Sequence, residues 1–385
     1  MPEPTKRKAV AVAEEVGSNR LRGISRNWSG SSMYTECTLH QISPYIGKVK
    51  STIASTLVKE FSKSGQTVYD PFCGSGTVAL EAWLHGRHVV ANDLSPYAHL
   101  LTQAKLFPAR TEVTLQRKLI TIREMVQELP ILSSSEVDSG VAGFFHPKTL
   151  DEVTKYVAHL KGNKEHFLLA ALMGILHHQR PGFLSYPSSH TVPYLRTKLF
   201  PRKEHPELYR YREVHDRLSR KVTRTLKRVP DLNRGLSRLC YSKDASKLVP
   251  AREIDLIITS PPYMRQLDYG RDNRLRLWFL GEPDWLGWDK RLTPNEGEFL
   301  QMMRKSFELW QDLLPHRGHC IIIIGDSWCK EYNSNLPEAL VTIAQNEVGG
   351  FKCIGRYTDS IPGIRRVRRS YRGNASETVI VLRRS

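Results

Sequence analysis

The stretch that most restricts this chain is TVYDPFCGSGTVALEAWLHG (67–86). TVYDPF (67–72) is a short apolar run that breaks at a turn containing Gly74 and Gly76. The residues after the turn continue as a helix that Gly86 stops. HVVANDL (88–94) is then a second buried strand, and SPYAHLLTQAKL (95–106) a second helix. Ahead of it all, Val49, Ile53, Leu57, Val58 and Phe61 recur at helical spacing. This β-turn-α-β-α order predicts an α/β fold, a doubly wound parallel sheet with ligands at the carboxyl ends of its strands.

The alternation pauses over about 111–235, a mostly helical stretch in which 111–135, 151–178 and the basic segment 205–228 are expected helices. It resumes with strands near 237–246 and 252–263. A long helix around 296–314 follows, then GHCIIIIGDSW (318–328), whose four consecutive isoleucines mark a central strand. A helix over 335–346 and strands near 351–358 and 376–383 complete the pattern. The chain thus divides into a polar N-terminal arm (1–38), a core (39–110 and 236–385) and a helical insertion (111–235), which is the expected target-recognition region.

The formal charge is +18, from 57 Lys and Arg against 39 Asp and Glu, and points to a polyanionic partner. No apolar run approaches the ~18 residues of a membrane span, and the N-terminus lacks a secretory pattern. The six cysteines are scattered without a C-x-x-C pair, which argues for reduced thiols in a cytoplasmic protein and against a zinc module or disulfide framework.

Two constellations carry chemistry. In Asp70-Pro71-Phe72-Cys73-Gly74-Ser75-Gly76-Thr77 the glycines allow a tight turn and close approach of a ligand to the backbone. The lysine of a phosphate loop and the third glycine of a dinucleotide site are both missing. Asp93, 23 residues after Asp70 at the end of the next strand, is placed to accept hydrogen bonds from a ribose. A ligand with ribose and adenine but no phosphate suits this set, and S-adenosylmethionine is one; alone, the motif is equally a plain turn. Thr259-Ser260-Pro261-Pro262-Tyr263 follows the apolar run 254–258. Its prolines fix two φ angles and remove two N–H donors. The bend therefore presents carbonyl and hydroxyl acceptors beside a flat ring, which suits the N–H groups of an exocyclic amine on a stacked base.

With both motifs in view, the chain resembles the amino-methyltransferases of DNA, which methylate N4 of cytosine or N6 of adenine. The likeness covers most of 40–110 and 236–385. It implies a Rossmann-like, S-adenosylmethionine-dependent methyltransferase sheet. Asp70, Phe72, Gly74 and Gly76 would line the methionine end of the cofactor, with Pro71, Cys73, Thr77 and Asn92 in the same turns. Asp93 would take the ribose, Leu94, Asp244 and Ala245 the adenine, and Tyr45 and Lys48 the carboxylate. Ser260, Pro261, Pro262 and Tyr263 would hold the target base, flipped out of the duplex. Ser ahead of Pro-Pro-Tyr is the form usually linked to cytosine N4. No Pro-Cys occurs, which argues against a C5-cytosine mechanism.

Between 195 and 228 twelve Lys and Arg face four Asp and Glu. Arg196, Lys198, Arg220, Lys221 and Arg224 there, and Arg365, Arg366, Arg368 and Arg369 near the C-terminus, are the expected phosphate contacts. The full expectation is a site-specific, nucleoid-associated methyltransferase acting on double-stranded DNA without a metal, paired by family analogy with a restriction endonuclease. An N6-adenine enzyme, an RNA guanine amino-methyltransferase and a non-catalytic DNA-binding relative are the alternatives.

Overall fold

A computed structural model describes Gly23, Ser25, Trp28 and residues 34–130, 137–177, 183–189, 194–262, 264, 267–360 and 376–385. Seven strands form one sheet: β1 (Thr67–Asp70), β2 (His88–Asn92), β3 (Arg238–Tyr241), β4 (Leu256–Thr259), β5 (His319–Gly325), β8 (Phe351–Ser360) and β9 (Ser376–Arg384). The order is β3-β2-β1-β4-β5-β9-β8. The first five strands are parallel, and β9 runs antiparallel between β5 and β8. A two-stranded ribbon, β6 (Trp328–Cys329) with β7 (Ser334–Asn335), follows β5. The predicted α/β fold is the observed one, a doubly wound Rossmann-like sheet with an antiparallel β8–β9 edge. Successive strands run outward from β1 on one side and from β4 on the other, so the topological switch point lies between β1 and β4.

Both faces of the sheet are buried, as parallel strands require. The isoleucine run alternates accordingly: Ile321 and Ile323 enter one apolar cluster, Ile322 and Ile324 the other. The first cluster is built with helices α1 (Ser51–Phe61), α2 (Thr77–Leu84) and α3 (Pro96–Leu106), the second with α11 (Glu296–Leu313) and α12 (Leu336–Thr342).

The insertion holds α4 (Glu112–Gln127), α5 (Ser139–Ala142), α6 (Pro147–Gly162), α7 (His166–Met173) and α8 (Val214–Leu226). Phe167 through Met173 are all buried, and α7 packs against α3. Helix α9 (Tyr269–Leu280) of the core meets it too: Phe279 lies edge-on to Phe145, and Arg276 donates to the Met173 carbonyl.

Two local expectations need correction. The helix predicted over 205–228 is instead a 3-10 turn, Pro206–Tyr209, and then α8. Between them, Thr149 Oγ1 both accepts from Arg212 N (2.9 Å) and donates to Arg212 O (3.0 Å), and Glu152 accepts from Val214 N (2.9 Å) at the start of α8. These contacts from α6 outweigh the local helical preference. Trp28, in the expected polar arm, is 2% exposed. Its carbonyl accepts from Lys50 Nζ and its ring meets Tyr357 edge-on.

The central strand supplies the first test. Ile322 is fully buried, so Ile322→Ala removes apolar contacts and leaves a cavity, with an expected loss of about 2–5 kcal/mol. Urea unfolding checks this; a loss under ~1 kcal/mol would contradict the central placement of β5.

Candidate active site

At the switch point the two motif bends leave neighbouring strands. Val68 pairs with Leu256 and Tyr69 with Ile257, so both chains reach the carboxyl edge side by side. One hydroxyl joins them: Thr259 Oγ1 donates to Asp70 Oδ1 (2.7 Å) and accepts from Phe72 N (3.1 Å). A cleft opens at this edge. Asp70, Phe72, Cys73, Gly74 and Thr77 line it from one bend, Ser260 and Pro262 from the other. Asn92, Asp93 and Leu94 border it from the end of β2, Asp244 and Ala245 from the segment after β3, and Tyr45 and Lys48 from ahead of α1.

The glycine turn is built by close packing. Gly74 and Gly76 have φ of +49° and +72°. A Cβ on Gly76 would lie 2.6 Å from Thr102 Oγ1 and 3.1 Å from the Thr102 Cα, so α3 abuts the turn. Thr102 Oγ1 also donates to the Gly74 carbonyl (3.3 Å). Asn92, with no exposed surface, ties the strand ends together. Its Nδ2 donates to the Pro71 and Lys243 carbonyls, its Oδ1 accepts from Lys243 N, and its own carbonyl accepts from Cys73 N.

Asp93 accepts Gly74 N on Oδ2 (2.8 Å) and Ser95 N on Oδ1 (2.9 Å). Each carboxylate oxygen keeps a further lone pair. Burial pushes its acid up to about 6 despite those two backbone donors. Burial likewise raises Asp70 to about 7, opposed by the Thr259 hydroxyl and aided by the nearby Asp93 charge. Burial also pushes the Cys73 thiol well up, which suits a packing residue better than a nucleophile. Lys48 Nζ is tethered to the His40 carbonyl (2.8 Å). Asp244 Oδ1 accepts from both the N–H and the hydroxyl of Ser246.

Among the sequence-predicted residues, Pro71, Gly76 and Pro261 shape the bends without lining the cleft, and Tyr263 lies outside the described residues. The sequence reading missed Tyr269 on α9, Arg291 and Leu292 at the end of α10 (Trp285–Leu292), Pro294 and Met302, which form much of the far wall; their surroundings carry no motif.

The basic residues separate. Lys198, Arg220 and Arg224 are exposed, Arg196 is half-buried, and Arg220 stands 3.7 Å from Asp216. Lys221 departs from expectation. Its Nζ donates to the Gln41 carbonyl (2.7 Å), and burial brings its pKa down to about 7, so it is tied into the protein where Arg220 and Arg224 are exposed at the surface. It follows Leu218 by three positions and precedes Thr225 by four, on the inward side of α8. Arg365, Arg366, Arg368 and Arg369 lie outside the described residues. Among the described residues no group of three or more His, Cys, Asp or Glu can hold a metal, and no helix is long and apolar enough to cross a membrane.

Two family models match the two halves of this core. Residues 45–155 match the D12 class N6 adenine-specific DNA methyltransferase, and 254–385 match a DNA methylase model. The resemblance to the amino-methyltransferases of DNA carried by the two motifs is thus borne out. Among curated proteins it is similar to the Type II methyltransferase M.BsoBI of Geobacillus stearothermophilus, 22% identical over 63% of this chain and 53% of that protein. It is also similar to the Type II methyltransferase M.MvaI of Kocuria varians, 34% identical over 20% and 18% respectively. The chain thus spans about half the length of the first of these relatives and less of the second. Among solved structures, TrmN from Thermus thermophilus aligns with a TM-score of 0.36 at 13% identity over 90% of this chain and 52% of that one. The rRNA methyltransferase aviRa from Streptomyces viridochromogenes gives 0.33 at 13% identity over 93% and 92%. Likeness at that level carries no argument beside the strand order itself.

Two tests follow from this geometry. Thr259→Val keeps shape but strips Asp70 and the Phe72 N–H of a buried partner; we expect a loss of about 1–3 kcal/mol in denaturant unfolding. Asp70 holds its proton in the fold to about pH 7, against a reference value of 3.8. Between those values the folded chain binds more protons than the unfolded one, so stability falls as pH rises from about 4 to 7. Asp70→Asn should flatten that fall in melting temperature measured across the window; parallel curves for the two proteins would refute it.

Proposed function

We propose that this protein transfers a methyl group from S-adenosylmethionine to the exocyclic N4 of cytosine in duplex DNA, at a specific sequence, with the base flipped into the cleft. The observation that carries this is the single cleft walled by both bends, joined through Thr259.

The donor set suits the cofactor. Asp93 keeps acceptor capacity at the β2 edge for ribose hydroxyls, the Gly74–Gly76 turn brings backbone to the cleft, and Lys48 supplies a cation at the Tyr45 side. S-adenosylmethionine supplies a methyl group on a positively charged sulfur. Apart from that, catalysis by this chain is positioning. The Ser260 hydroxyl and a carbonyl of the Pro261–Pro262 bend accept the two N–H bonds of the target amine. This turns the nitrogen lone pair out of conjugation with the ring, and the rigid prolines hold the acceptors in place. A neutral Ser and a charged Asp can each polarise an amine, so N4 of cytosine is preferred over N6 of adenine on the family's correlation of Ser-Pro-Pro-Tyr with that base. The match of 45–155 to an N6-adenine class favours the second reading, the same chemistry on adenine. The net charge of +18 and the exposed Arg220 and Arg224 supply attraction to the phosphate backbone. Type II relatives support a place in a restriction–modification pair.

Incubation with S-adenosylmethionine and host-type duplex DNA, digestion to nucleosides and mass measurement should give N4-methylcytosine. N6-methyladenine would replace the lead reading by the second, and no modified nucleoside would refute both. Ser260→Ala is expected to lower turnover by about 10²-fold with S-adenosylhomocysteine affinity kept. Asp93→Ala should chiefly lose that affinity; equal loss of affinity in both variants would refute the division of roles.

A further inference from the structure

Trp328 is the one largely exposed tryptophan of the seven in the chain, at 57%, and all seven are among the described residues. It stands on β6, beyond the carboxyl end of β5. Thr259, the last residue of β4, pairs with Ile322, and β5 runs three residues farther before the chain turns into the ribbon. The ribbon therefore rises from the edge of the sheet that carries the Ser260 bend.

An exposed indole on a loose loop would mean little, but this one is held firmly. Cys329, next along β6, is fully buried, so strand alternation directs Trp328 outward. Leu336 N donates to the Ser327 carbonyl (2.8 Å), and Glu296 accepts from Glu331 N (2.9 Å). Arg304 bridges Glu331 and Glu347 at 2.6 and 2.7 Å and also reaches the Tyr332 hydroxyl. At the base, Asp326 accepts from the hydroxyls of Ser376 and Thr378. Glu296 opens α11 two residues after Pro294, and both Pro294 and Met302 of that helix line the cleft. The ribbon is thus braced to the cleft wall while the Trp328 indole faces solvent. An exposed indole on a rigid support beside a cleft is suited to an external partner.

We propose that Trp328 stacks on a nucleobase of the duplex next to the extruded target and holds the opened stack. This rests on the reading of the cleft as a DNA methyltransferase site. A flat, rigid ring offers stacking to any base without reading sequence, and filling the gap left by a flipped base offsets lost base stacking.

The test uses the full chain, the duplex sequence found modified in the nucleoside experiment, and a copy with the target pair mismatched. Trp328→Ala should weaken binding to the matched duplex, by anisotropy, by roughly 5- to 150-fold, the range set by loss of one aromatic–base stack. The deficit should be at least as large on the mismatched duplex, where opening costs less and the opened complex predominates, and Trp328→Phe should restore most of the affinity. Affinity for S-adenosylhomocysteine, by calorimetry, should stay within twofold in both variants. Unchanged DNA affinity in Trp328→Ala would overturn the proposal, as would a smaller deficit on the mismatched than on the matched duplex or a parallel loss of S-adenosylhomocysteine affinity. Failure of the underlying reading shows separately, as a wild-type protein that modifies no DNA.

Discussion

The Thr259 hydroxyl is the hinge of this architecture. A parallel sheet whose strand order reverses leaves a crevice at the reversal, but the crevice alone does not align the loops that border it. Here one buried side chain, at the end of β4, donates to the carboxylate that ends β1 and accepts from the backbone two residues later. The glycine turn and the Ser260 bend are therefore positioned relative to each other through a single oxygen. If that oxygen is lost, the sheet still pairs, while the two walls lose their common reference. Stability and site geometry are separable here, because β-pairing is set by Val68–Leu256 and Tyr69–Ile257, upstream of the contact.

The same edge concentrates unfavourable charge. Asp70 is buried and Asp93 half-buried; burial raises both acids, and the Asp93 charge further raises Asp70. Much of the compensation comes from backbone N–H groups and a hydroxyl rather than from cations. A cationic neighbour would fix the carboxylates permanently, whereas neutral donors leave acceptor capacity for a ligand. Asn92 does the complementary work for the backbone, absorbing the carbonyls of Pro71 and Lys243 that the diverging strand ends would otherwise leave unpaired.

How much of this was legible in the sequence depends on whether the signal was local. The strand-turn-helix of 67–84 and the isoleucine strand stand out because burial on both faces enforces continuous apolar runs and the turn demands glycine. The cleft-lining residues of those bends were legible for the same reason. The far wall was not: Tyr269, Arg291 and Met302 reach the cleft from three helices late in the chain, and nothing in their neighbours announces it. Charge misled at Lys221, where position on the helix, between Leu218 and Thr225, outweighs composition. Trp28 shows the reverse, a single aromatic in a polar stretch that finds its burial against Tyr357, more than three hundred residues away. The break in 205–228 was hidden because it is imposed by Thr149 and Glu152 on another helix.

The insertion is read by sequence as an addition between β2 and β3, yet it shares the core. Phe167 to Met173 of α7 are buried and the helix packs on α3, and α3 presents Thr102 to Cys73, to Gly74 and to the space a Gly76 side chain would need. Arg276 of α9 donates to Met173 at the end of α7 and lies over Tyr97 of α3. The chain of contacts runs from insertion to α3 to the glycine turn. Removing 111–235 would therefore expose the apolar face of α3 and loosen the turn, whatever the insertion does with DNA. A role for it in recognising the target must accordingly be sought on its surface, at Arg220 and Arg224 on the outer side of α8, where substitution leaves the packing against α3 intact.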